Sequence, residues 1–160
     1  MRHTLAVAVL LIGMVALPSC TAAPPNVDEE RVEEWTDGMA ASEAGRTDLV
    51  GGVSGALSES ADQASGSLGY SDPTSVDGFE AACLDHGAIE VSWRIAADGT
   101  TSTGSADVAC TGQSERITLG FTVEDVQTVG VVATTAGGDP IAFRVSITGS
   151  SRPPLDADDG

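Results

Sequence analysis

The sequence has no lysine. All seven of its basic residues are arginines, set against 24 acidic residues, so the formal net charge is −17. Nucleic acids and anionic lipid headgroups are held by basic surfaces, so a chain this acidic does not bind either of them by charge. Histidine is nearly absent as well, at two residues, and the aromatics amount to two Trp, one Tyr and three Phe. That is a thin inventory for a catalytic or metal site. No Gly-x-Ser-x-Gly nucleophile elbow occurs, no zinc-ligand spacing, and no Asp-x-Asp-x-Asp-Gly calcium loop. Gly51-Gly52 and Gly137-Gly138 lack the flanking residues of a phosphate-binding loop. The sequence therefore implies no cofactor.

Hydrophobic runs are also scarce, with one exception at the N-terminus. Leu5 to Leu17 is an uncharged stretch of 13 residues behind Arg2 and His3. A bilayer span needs about 20 apolar residues, so this length suits the core of an export signal. It ends in Leu17-Pro18-Ser19-Cys20, an aliphatic residue, two further residues and then cysteine. Residues 1–20 resemble the signal and lipobox of bacterial lipoproteins. The resemblance implies diacylglyceryl transfer to the Cys20 thiol, cleavage after residue 19, and attachment to membrane lipid at the extracytoplasmic face of the cell membrane. Two acyl chains make such attachment stable where one would be reversible. No twin-arginine pair precedes the run, which favours the general secretory route. Cleavage would remove Arg2 and no acid, leaving 24 acids against 6 arginines, a net charge of −18.

Three cysteines are present: Cys20, Cys83 and Cys110. With Cys20 lipidated, an even pair remains, and outside the cytoplasm such a pair reads as one disulfide. A Cys83–Cys110 bond would close a loop of about 28 residues, worth about 3 to 4 kcal/mol on chain-entropy grounds. The alternative is two buried free thiols.

The mature chain divides by its patterns. Residues 20–27, with Pro24-Pro25, read as the lipidated cysteine and a short tether. Residues 28–66 read as a helical segment. Asn26 or Asp28 can cap it, and Asp28, Glu29 and Glu30 favour the positive end of a helix dipole. Val32, Trp35 and Met39, then Leu49, Val50, Val53 and Leu57, fall at helical spacings. Helices are expected over about 28–44 and 46–63, the second weakened by Gly51, Gly52 and Gly55. Residues 65–73 read as a loop.

From Val76 the period becomes two. Ile89, Val91, Trp93 and Ile95 alternate with polar residues, and Asp98-Gly99 follows, a strong hairpin signal. A two-residue turn there sets Ala97 against Thr100, Val91 against Ala106 and Ile89 against Val108. Strands are also expected at Phe79–Leu84, Ile117–Val123, Val129–Ala133 and Ile141–Ile147. Residues 76–148 thus predict an antiparallel β-sandwich or open barrel of about six strands, giving an α+β chain. Residues 149–160, with Pro153-Pro154 and three acids, read as a disordered acidic tail.

Asp85-His86 is the one acid–imidazole neighbour pair outside the signal. It supports a small envelope hydrolase or metal-dependent enzyme, or simply a polar turn before Gly87. Trp35 and Trp93 are expected in the core, meeting where helix packs on sheet. On balance the chain is expected to be a non-enzymatic envelope protein that binds a protein partner or small ligand. A structural spacer is the third reading.

Overall fold

A computed structural model describes residues 28–58, 60–84, 86–137 and 140–151. The signal, Cys20, the tether, Asp85 and residues 152–160 lie outside them.

The order of elements is α1 (Glu29–Glu43), β1 (Leu49–Leu57), β2 (Gln63–Gly69), β3 (Thr74–Leu84), β4 (Ala88–Ala97), β5 (Thr100–Ala109), β6 (Glu115–Val123), β7 (Val126–Thr135) and β8 (Ile141–Ser151). The expected first helix is present. Asp28 caps it, its carboxylate accepting from the backbone N–H of Arg31 at 3.4 Å. Gly45, at φ +81°, follows the C-cap, a backbone conformation that glycine adopts without a Cβ penalty.

The second helix is not formed. Residues 49–57 are strand β1, and the segment read as a loop at 65–73 contains most of β2. The apolar spacing of Leu49, Val53 and Leu57 fits a strand equally well once Gly51 and Gly55 occupy the intervening inward positions. A Cβ on Gly51 would lie 2.6 Å from Leu68 Cδ2, and one on Gly66 would lie 2.7 Å from Val53 Cγ1. These glycines are places where β1 and β2 press together, which is a tertiary demand that a helical reading counts as a defect. The β-region therefore begins at Leu49 rather than at residue 76. It also runs to Ser151, so Gly149, Ser150 and Ser151 belong to a strand and not to a tail.

The eight strands among the described residues form two four-stranded antiparallel sheets. Sheet I has the order β1-β8-β3-β6 and sheet II the order β2-β7-β4-β5. Four of the pairings are those of one long folded-back ribbon: β1 with β8, β2 with β7, β3 with β6, and β4 with β5. The pairs β3–β8 and β4–β7 then stitch the ribbon into two sheets. Its tip is the Asp98-Gly99 turn, with φ of 35° and 76°, and the hairpin register is the one the sequence predicts.

Alternation drives both sheets onto one core. Phe79 of β3 and Phe143 of β8 face Val91 and Ile95 of β4 and Val129 and Val131 of β7, all buried. Burial of apolar area at about 25 cal/mol per Å² is the main term holding the sheets together. The disulfide adds a covalent link. Cys83 in β3 and Cys110 just beyond β5 have sulfurs 2.11 Å apart and Cα atoms 4.6 Å apart. It joins the two sheets, one residue coming from each.

Helix α1 lies on the outer face of sheet I. It buries no residue completely, and its attachment is largely polar. The Trp35 indole N–H donates to the Gly112 carbonyl at 3.0 Å. Glu43 accepts from the Arg144 Nε at 2.9 Å and also from the Arg144 Nη2 and the Ser146 hydroxyl. These charge-assisted bonds, with that from Arg144 the largest effect, hold the Glu43 carboxyl below its usual range. Beside them Arg46 bridges Glu80 at 2.7 Å and Asp48 at 2.6 Å. Trp93 does not meet Trp35. Its ring packs on Phe79 at a centroid distance of 5.1 Å, in the core. The expected contact fails because alternation along β4 points Trp93 between the sheets while α1 sits outside them.

Candidate functional site

A concavity of about 550 Å³ lies on the outer face of sheet II. Strand registers set two rows across this face, and the hollow lies over their β2, β7 and β4 members. Ser67, Gly130, Arg94 and Thr103 lie side by side across β2, β7, β4 and β5. The next row is Ser65, Val132, Ser92 and Ser105. Short side chains in both rows leave the hollow open. On the inward side, Gly104 makes room for the Trp93 indole, whose Cζ2 would lie 2.5 Å from a Cβ there.

Charge on this face is unusual for the chain. Arg46, Arg116 and Arg144 are each within 4 Å of a carboxylate, the longest contact being Arg116–Asp77 at 3.9 Å. Arg94 is exposed and has no hydrogen-bond or ion-pair partner among the described residues. It stands among hydroxyl groups that both donate and accept. The surface is mainly apolar, with the Ser65, Ser67 and Ser92 hydroxyls and the Arg94 guanidinium as its polar groups, so it can hold a largely apolar ligand with one charge-assisted bond at Arg94. Composition gave no hint of it, because the serines of β2 read as loop and Arg94 as a solvated strand residue.

A smaller hollow of about 380 Å³ separates α1 from sheet I, bounded by Val32 and Thr36 above and Ala56 and Ala142 below. A third, of about 470 Å³, opens between the beginning of β5 and the end of β6. It is bordered by Phe121, the one large hydrophobic side chain exposed among the described residues, at 56 %.

The residues singled out in the sequence are dispersed. His86 is exposed in the turn before β4, with no hydrogen bond or ion pair among the described residues. Its neighbour Asp85 and the anchor residue Cys20 are outside them. Cys83 and Cys110 come together, as the cysteine count predicts. Among the described residues no three His, Cys, Asp or Glu side chains are grouped to hold a metal ion, and no helix is long and apolar enough to cross a membrane. No protein-family model matches the chain, and no curated protein matches it.

Proposed function

We propose that this chain is a lipid-anchored extracytoplasmic binding protein, tethered through Cys20 to the cell membrane, whose β-domain presents a recognition surface and carries out no catalysis. The observation that carries the reading is the order of residues at the N-terminus: a 13-residue apolar run ending in Leu17-Pro18-Ser19-Cys20. Its support is the Cys83–Cys110 pair at bonding distance, which fits an oxidising compartment. The domain behind the tether is an eight-stranded sandwich of two open sheets, and its folded-back ribbon pairing is that of a jelly roll. Such a fold names no ligand. The recognition surface is the outer face of sheet II around Arg94.

The enzyme reading depends on a pocket that gathers His86 with a carboxylate and a hydroxyl, and the exposed position of His86, with no hydrogen bond or ion pair among the described residues, gives it no support. The test of the anchor is metabolic labelling with a radioactive fatty acid in cells expressing the full chain. Wild type takes up label and partitions with membranes, and Cys20→Ala does neither. Labelling that persists in Cys20→Ala refutes the anchor.

A further inference from the structure

The two flanks of the sandwich are unlike each other. On one flank the terminal strands β1 and β2 close together, with Val53 packed over Gly66 and Leu68 over Gly51. On the other the terminal strands β5 and β6 stay apart and leave the 470 Å³ cleft. Both are edge strands among the described residues, so each has a row of backbone N–H and C=O groups without a ladder partner there.

The two edges differ in what they can accept. In β6, Gly120 has φ +77°, and the ladder with β3 shifts register, pairing Val123 with Val76 but Thr118 with Gly78. A guest strand would meet a broken rail. β5 is regular, paired residue for residue with β4 from Thr100 to Ala109. Edge strands are ordinarily protected by a lysine, a proline or a bulge. From Thr100 to Ala106, β5 has none of these and no charge. Where the cleft meets β5, Phe121 offers an apolar contact, and Asp98 and Glu124 place two carboxylates beside it.

We infer that β5 is a docking edge for an extended basic segment of another protein, which adds to sheet II as a fifth strand. The inference rests on the binding reading and not on the anchor. Backbone pairing with β5 supplies the affinity, and alternate side chains supply the selectivity. On one face of the guest an aliphatic side chain covers Phe121. Its cationic side chains reach Asp98 and Glu124, and the acidic body of the protein draws them in over longer range. The same charge disfavours the obvious competitor, a second copy of this chain, since two mature bodies each of net charge −18 repel.

The test is fluorescence anisotropy with the full mature chain in detergent and a labelled eight-residue peptide of alternating lysine and valine. Saturable binding below about 1 mM is expected. Replacing two adjacent central residues of the peptide by proline, one of whose N–H groups must face β5, should weaken it about tenfold or more, as should glutamate for lysine. Phe121→Ser should weaken it about tenfold with an unchanged melting temperature, because the ring is exposed. Asp98→Asn with Glu124→Gln should weaken it and flatten its salt dependence. Failure to saturate, or equal binding of the proline peptide, overturns the inference. So does sedimentation as a dimer that Phe121→Ser dissociates, since the edge would then serve the chain's own second copy. Fatty-acid labelling is unaffected by any of these variants, so loss of the docking edge and loss of the anchor are read separately.

Discussion

Reducing the Cys83–Cys110 bond tests how far the fold depends on a covalent link between its sheets. The cysteines are 27 residues apart in sequence. On chain-entropy grounds a closed loop of that size removes about 12 cal/mol/K from the unfolded chain, or about 3.5 kcal/mol at 25 °C. Unfolding entropy is about 2.1 cal/mol/K per residue, so a domain of about 125 residues has about 260 cal/mol/K at its midpoint. The quotient is a fall in melting temperature of about 13 °C. Reduction is a cleaner perturbation than replacement, because Cys83 is fully buried and truncating it would also open a cavity. The assay is thermal unfolding followed by near-UV circular dichroism, with and without a phosphine reductant, in a chain carrying Cys20→Ser. Thiol counting confirms that both sulfurs are free. A shift under about 3 °C would show that the reduced chain is already restricted when unfolded, and the loop-entropy argument would fail.

Three further outcomes follow from particular contacts. The Tyr70 hydroxyl is buried without a hydrogen-bond partner among the described residues, and burial pushes its pKa above the ordinary value. Tyr70→Phe should therefore be neutral or stabilising by up to about 1 kcal/mol in urea unfolding, and a loss larger than that would reveal a partner for the hydroxyl. Glu43 has a depressed folded pKa, so its contribution is complete above the unfolded value of about 4.3 and is lost as pH falls through the lower folded value. Glu43→Gln should cost about 1.5 kcal/mol at pH 7 and little at pH 2, measured as the stability difference from wild type at each pH. An equal difference at both values would mean the charge plays no part in seating α1. Gly66→Ala would bring a Cβ within 2.7 Å of Val53 Cγ1, and overpacking of this kind costs about 1 to 3 kcal/mol. Unchanged stability would show that β1 and β2 do not meet there.

The sequence by itself determined what depends on neighbours along the chain. The Asp28 cap, the hairpin at Asp98-Gly99 with its register, and the four period-two segments from Ile89 to Ile147 follow from local geometry and alternation. The cysteine pairing followed from count once Cys20 was set aside by its place at the end of the apolar run. Tertiary structure decided the rest. Leu49 to Leu57 satisfies helical and strand periods alike, and only the approach of β2 explains glycine at 51 and 66. Trp93 and Trp35 share a hydrophobic character, but which side of sheet I each occupies depends on where α1 comes to rest. Arg94 became distinctive only when Arg144 and Arg46 found carboxylates far away in sequence, on Glu43 and Glu80. A charge is unpaired, and an edge open, only with respect to everything else that has folded around it, and alternation along a strand does not contain that information.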